Sequence, residues 1–317
     1  MSIDRSLVRE TLGELAHFDA PLGALTTYRV GGVAEVAVHP TGESDLRRVA
    51  DLLQQVSVEV LVVGRGSNLL VSDAGFVGVA VFTDRLPTSV ELSPSEDQQT
   101  VHASANTLLP VLARRTASAG LCGLEWAVGV PGSVGGAIRM NAGGHGSDIA
   151  ASLKSSTICD LLRGTISVVS TDQLGLRFRG SALTATQLVL EAEFSVRPCD
   201  PVTANAQIEE IVKWRRDNQP GGQNAGSVFV NPRPGELSAG ALIDDLGLRG
   251  MRHGTAEVST KHANFIQADP DGSADDVVAL MAKVREIVMR KSGIALRSEI
   301  RLVGFDPEMT LAAGGAV

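Results

Sequence analysis

The stretch Gly129–Gly146, GVPGSVGGAIRMNAGGHG, holds seven glycines and one proline in eighteen residues. Glycine loses more backbone freedom on folding than any other residue, so so dense a run is costly unless the main chain must approach something closely. Phosphates, a flat cofactor or a tight loop each meet that condition. At 317 residues the chain is long enough for two domains of ordinary size, each burying a core that offsets this cost.

The net charge of -8 argues against sequence-independent binding of nucleic acid, which needs a basic face. An anionic ligand must be held by local arginines and backbone N–H groups. Cys122, Cys159 and Cys199 are odd in number, far apart and without C-x-x-C spacing, which suggests neither a disulfide framework nor a zinc site and fits a reducing cytoplasm. None of the six histidines forms a metal-type pair, so no metal is expected. The N-terminal MSIDRSLVRETLGELAHF reads as an amphipathic helix without the apolar core of a signal peptide. The longest apolar runs, VEVLVVG and VGVAVF, are strand-length, well short of the roughly 20 residues that span a bilayer. A soluble cytoplasmic protein without a membrane partner is expected, and nothing indicates an obligate protein partner.

Periodicity gives a helix at ESDLRRVADLLQQV, a buried strand at VEVLVVG, a glycine turn and further strand in RGSNLLVSDAGFVGVAVF, then an alternating QTVHASA and a helix TLLPVLARRTASAG. Strands follow at SSTICDLL, TISVVS and LVLEAEFSV. The Pro-bracketed RPCDP reads as a domain boundary. Beyond it lie helices ANAQIEEIVKWRRDNQ, SAGALIDDLG and SADDVVALMAKVREIVMRK; the last carries an apolar stripe of Val277, Leu280, Met281, Val284, Ile287 and Val288 and a capping box from Ser273 and Asp276. A final strand LRSEIRLVGF precedes a frayed tail at 306–317. The expected fold is α+β, with a larger domain to residue 199 and a smaller one at 200–305.

VVGRGSNLLV offers G-x-G after a strand but continues as turn and strand, which disfavours a Rossmann site. Its backbone suits an anion nest aided by Ser67 and Asn68, and a plain strand-to-strand turn explains it equally well. Pro131, Gly132, Ser133, Gly135 and Gly136 form a second such loop.

TTYRVGG, GRGSNLLV, GVPGSVGGAIRMNAG, FRGS, NAGSVFVNP and LRSEIRLVG occur in the order found in the UDP-N-acetylenolpyruvoylglucosamine reductases, which the chain resembles over roughly residues 14–305. The resemblance implies a two-lobed FAD-binding domain of the vanillyl-alcohol-oxidase type at 14–199, and a C-terminal domain at 200–305 that closes over a UDP-sugar. By resemblance, Thr27, Arg29, Gly31, Gly32, Gly64, Arg65, Gly66, Ser67, Asn68, Gly129, Pro131, Gly132, Ser133, Gly135, Gly136, Asn141 and Gly143 bind FAD, here noncovalently, with NADPH as hydride donor. Arg179 would stabilise the substrate carboxylate, Ser227 protonate the α-carbon and Glu299 assist. Composition alone makes Arg179 a solvated strand-end residue, Ser227 turn chemistry and Glu299 an exposed glutamate between Arg297 and Arg301; those arginines favour its ionised form. Arg215, Asn231 and His262 are the implied UDP-sugar contacts, and His262 reads equally as a core histidine.

Two departures stand out. Phe178 and Asn218 occupy positions where the family commonly has tyrosine and often has lysine. The chain lacks the tyrosine-bearing insert of one subtype, since Tyr28 is its only tyrosine. A different flavin oxidoreductase, such as a sugar or alcohol oxidase, and a catalytically silent flavin or UDP-sugar binder are the rival readings.

Overall fold

In this computed structural model the described residues are 3–93, 99–233 and 235–316, and they form two compact units. One comprises Met1–Phe18, Val36–Arg65 and Gly78–Arg215; the other comprises Asp19–Glu35, Gly66–Val77 and Arg216–Val317. Secondary structure mixes helix and strand in both. Among the described residues no helix is long and apolar enough to cross a membrane.

The first unit has two hydrophobic cores. In one, the helix Glu43–Leu53 buries Leu46, Val49, Ala50, Leu52 and Leu53 against Val60, Val79, Val81 and the helix Arg5–Leu12. Val60–Val63 pairs in parallel with Val79–Phe82, consistent with an apolar run buried on both faces. The other core lies on an antiparallel sheet of order Thr165–Ser170, Leu153–Asp160, Gln187–Pro198, Gln99–Ser104 and Val90–Ser93. Leu121–Cys122 pairs with Arg197–Pro198 at one end of it.

Two expectations fail here. RPCDP is not a linker: Asp200 accepts hydrogen bonds from the Val202 and Thr203 N–H groups, and Pro201 opens the helix Pro201–Asn218, a position where the missing N–H costs nothing. Ala204, Ile208 and Ile211 of that helix join the sheet core, so the unit runs to Arg215. Nor are the cysteines all free. Cys122 and Cys199, 77 residues apart in sequence, are disulfide-bonded with Cα atoms 5.8 Å apart, because the strand pairing sets them side by side. Cys159 alone is free, and it is buried.

In the second unit the helix Ala274–Ser292 buries Val277, Leu280, Met281, Val284 and Val288, the predicted stripe, with Ile287 half-buried. Its capping box is only half formed. Ser273 Oγ accepts from the Asp276 N–H at 3.1 Å, but the Asp276 carboxylate accepts from Thr255 N and Oγ1 at 2.7 and 2.8 Å. Asp73 completes the helix start, accepting from Ala274 and Asp275 N–H groups at 3.0 and 3.3 Å. Tyr28 is fully buried and its hydroxyl donates to the Ile266 carbonyl at 3.1 Å; burial pushes its pKa up.

The expected frayed tail is structured over its described residues, 306–316. Asp306 caps a helix Pro307–Ala312, accepting from the Glu308 N–H at 2.8 Å. Ala313 is fully buried, Arg285 donates to the Leu311 and Ala312 carbonyls, and the Gly314 carbonyl accepts from the Ser298 N–H at 2.8 Å. Small aperiodic residues look structureless in sequence, yet they let the chain pack closely over Leu296–Ser298.

A tight turn in the first unit carries Arg179. Arg177 and Gly180 exchange backbone hydrogen bonds at 2.9 and 3.0 Å, leaving Phe178 and Arg179 at the tip, with Arg179 at φ +55°. Asn141, buried at the end of the helix Val134–Met140, holds this turn. Its amide donates to the Arg177 carbonyl at 3.2 Å and to Asp148 Oδ2 at 3.1 Å, and its oxygen accepts from the Ala150 N–H at 3.0 Å.

Replacing Asn141 with alanine removes three part-buried hydrogen bonds and is expected to cost about 1–3 kcal/mol in urea unfolding; an unchanged midpoint would show that the clamp is dispensable. Ending the chain after Phe305 is expected to cost a similar amount, about 2–4 kcal/mol, through the exposed core and the orphaned Ser298 N–H. A truncated protein as stable as the full chain would restore the frayed-tail reading.

Candidate active site

In the first unit, Ser133 begins the helix Val134–Met140 without using its hydroxyl as a cap. Ser133 Oγ and Thr83 Oγ1 are both buried and have no hydrogen-bond partner among the described residues. They face Gly64: a Cβ built there would lie 2.8 Å from Ser133 Oγ and 4.0 Å from Thr83 Oγ1. A buried hydroxyl without a partner costs on the order of 1–3 kcal/mol, so two of them around bare backbone mark a place where a ligand supplies the missing hydrogen bonds. Polar oxygens such as those of a pyrophosphate fit this cradle. Thr83 carries no sequence signal beyond ending a strand, and sequence reading passed over it.

The glycine-rich stretch divides its labour. The Val134 and Gly135 N–H groups donate to the Thr107 and Ala105 carbonyls, each at 2.9 Å, so these donors serve the protein. A Cβ on Gly135 would lie 3.0 Å from Ala105 Cβ and 3.5 Å from Val189 Cβ. The close approach at Gly135 is therefore helix against sheet. Gly129 packs under the His145 ring and Ile211, Gly143 pairs with Asp148 in a short hairpin, Pro131 and Gly132 lead into the helix Val134–Met140, and Gly136 lies within that helix. Arg65 is exposed beside Gly64. Asn141, expected to touch the cofactor, has both amide donors and its oxygen engaged within the protein. Arg215 is half-buried; with burial as the larger cause, its charge helps hold the His145 pKa below the usual histidine range. The Arg179 guanidinium lies 5.0 Å over the Phe178 ring, within cation–π range.

The second unit gathers other motifs. Residues 228–230 run antiparallel to 297–299: the Glu299 N–H donates to the Val228 carbonyl at 2.8 Å, and Val230 N–H to the Arg297 carbonyl at 2.9 Å, with Phe229 opposite Ser298. Ser227 thus sits directly before the strand that holds Glu299. Both are half-buried, where composition alone made Glu299 exposed. Asn264 clamps the other side, its amide donating to the Phe229 carbonyl at 2.8 Å and its oxygen accepting from the Phe229 N–H at 3.0 Å. It lies two residues beyond His262 in a motif read only for the histidine.

Asn68 joins this ladder, donating to the Glu299 carbonyl at 3.1 Å and accepting from the Arg301 N–H at 2.9 Å. Ser67 precedes it, half-buried. The Gly66 carbonyl accepts from the Thr27 N–H at 3.3 Å, and Thr27 Oγ1 is buried without a partner among the described residues. Arg29, at φ +56°, turns an exposed side chain outward. Gly31 and Gly32 pack against Val71–Gly75, with the Gly32 N–H donating to the Ser72 carbonyl at 2.8 Å.

Two expected substrate contacts have structural work. Asn231 Oδ1 accepts from the Ala239 N–H at 3.1 Å, at the start of the helix Ala239–Asp245. His262 Nδ1 accepts from the Asn264 N–H at 3.2 Å; burial, then the Arg249 charge, lowers its pKa and keeps the ring neutral.

With this geometry in view, the relationships of the chain are direct. Residues 34–170 match an FAD binding domain, and residues 218–303 match the C-terminal domain of UDP-N-acetylenolpyruvoylglucosamine reductase. The chain is 40% identical over 289 residues to the reductase of that name from Synechococcus sp. (strain RCC307), covering 90% of this chain and 93% of the relative. It is 39% identical over 292 residues to that from Rubrobacter xylanophilus, covering 91% and 95%. The crystal structure of the reductase from Thermus caldophilus superposes with a TM-score of 0.76 at 30% identity, covering 91% of this chain and 99% of that one. The chain belongs to the UDP-N-acetylenolpyruvoylglucosamine reductase family, with an FAD-binding domain of the vanillyl-alcohol-oxidase type joined to the family's C-terminal domain.

Proposed function

We propose that this chain reduces the enolpyruvyl ether of UDP-N-acetylglucosamine to the lactyl ether of UDP-N-acetylmuramate, in the cytoplasm, as a step of peptidoglycan precursor synthesis. Arg179, Ser227 and Glu299 are its substrate-reacting residues. The observation that supports this reading is the ladder between residues 228–230 and 297–299, since it brings the backbone next to Ser227 against that of Glu299 and unites two distant motifs for which composition offers only a turn serine and a surface glutamate.

Bound FAD, reduced by NADPH, would supply the hydride that adds to the substrate β-carbon. The cradle of Gly64, Thr83 and Ser133 would hold its pyrophosphate, with the two unpartnered hydroxyls as donors. Addition at the β-carbon throws negative charge onto the α-carbon and its carboxylate. Arg179 answers that charge with a permanently protonated, forked donor, on a turn that Asn141 fixes. The Ser227 hydroxyl gives its proton to the α-carbon. Glu299 orients that hydroxyl, its backbone held on both sides by Val228 and Asn68. Arg215 supplies a cation for the diphosphate, while Asn231 and His262 shape the surrounding framework.

Ser227→Ala separates these roles. In anaerobic rapid mixing, flavin bleaching by NADPH is expected at close to the wild-type rate, while return of flavin colour on adding the enolpyruvyl substrate slows by about 10²–10⁴-fold. Equal losses in both half-reactions would contradict a proton-donor role for Ser227.

A further inference from the structure

We propose that Cys122, Cys199 and Glu125 form a redox-gated site for a thiophilic divalent cation of the zinc type, closed to metal while the disulfide is intact and opened by its reduction. The two sulfurs and one carboxylate oxygen of Glu125 all lie within 4.8 Å of one another. Glu125 is only 6% exposed. Its Oε2 accepts from the Gly123 N–H at 2.9 Å, but its Oε1 is buried without a hydrogen-bond partner among the described residues. A buried carboxylate oxygen left without a donor is expensive. A cation held between this carboxylate and the sulfurs offsets that cost.

The donor set is specific. Two thiolates and one carboxylate suit a tetrahedral zinc site whose fourth position is water. Cys199 is half-buried, so both the water and a reductant have access. The ligands come from three restrained segments: Cys122 from a strand paired with Arg197–Pro198, Cys199 from the residue following that pair, and Glu125 from the first residue of the 3₁₀ helix Glu125–Gly129. Around zinc the sulfurs must stand about 3.8 Å apart, as tetrahedral bonds of about 2.3 Å require. Side-chain rotation supplies this separation once the S–S bond is cut.

The chemistry balances with a dithiol as reductant. A thiolate of the dithiol attacks one sulfur, the S–S bond breaks, and a mixed disulfide forms while the other cysteine takes the electron pair and a proton. The second thiol of the dithiol then displaces the first cysteine, leaving two cysteine thiols and an oxidised dithiol. Zinc binding releases the two thiol protons. Reoxidation by a disulfide reverses the sequence and expels the cation.

The test uses FAD-loaded protein, oxidised or reduced with a phosphine and desalted anaerobically, then dialysed against zinc and assayed for metal content. Reduced wild-type protein is expected to retain one zinc per chain and oxidised protein none. Cys199→Ser should abolish retention. Glu125→Gln keeps both cysteines and the side-chain shape and should weaken binding by about tenfold or more; retained flavin colour shows that each variant is folded. Zinc uptake equal in oxidised and reduced protein, no uptake after reduction, uptake that survives Cys199→Ser, or unchanged affinity in Glu125→Gln would each overturn the proposal.

Discussion

The short antiparallel ladder between residues 228–230 and 297–299 is the constraint on which the proposed chemistry of the second unit depends. Ser227 and Glu299 are more than seventy residues apart in sequence, so nearness along the chain does not fix their relationship. Main-chain bonds fix it instead, at 2.8 and 2.9 Å, and Asn68 and Asn264 extend the pairing to two further loops. Buried main-chain groups must be paired, so a shift of one residue in this register would leave several of them unsatisfied. The tail takes part in the same network through Gly314 and Ser298, which ties the end of the chain to the segment bearing Glu299.

In the first unit the corresponding problem is how to bring bare backbone to a ligand without losing the fold. Much of the glycine-rich segment is spent on internal packing, with Gly135 against Ala105 and Asn141 holding the Arg179 turn. Around Gly64 two buried hydroxyls, those of Thr83 and Ser133, are left unanswered beside bare backbone. Together these explain why the stretch is so rich in glycine: several residues allow the helix to meet the sheet, and that packing in turn presents Ser133 to the cradle.

The sequence made legible whatever depends on local pattern. The stripe of the helix Ala274–Ser292, the strand Gln187–Pro198 and the buried parallel strand Val60–Val63 follow from periodicity, and the ordered motifs identify the family and its cofactor domain. Contacts that depend on topology were not legible. A spacing of 77 residues says nothing about a bond between Cys122 and Cys199, nor does a loop aspartate at Asp73 announce that it caps a helix two hundred residues later. A Pro-flanked segment such as RPCDP serves equally as linker or helix start, so local pattern does not place the end of the first unit. Thr83 and Asn264 have ordinary neighbours in sequence, and only their places in the fold distinguish them.

The central claim is that one chain couples NADPH oxidation to reduction of an enolpyruvyl UDP-sugar. The most direct measurement is anaerobic NADPH oxidation by the FAD-loaded protein, with and without UDP-N-acetylglucosamine enolpyruvate. Many turnovers in its presence and a single flavin equivalent in its absence are the predicted result. A stop after one equivalent in both cases would contradict it, leaving a flavin-binding protein whose substrate is something else.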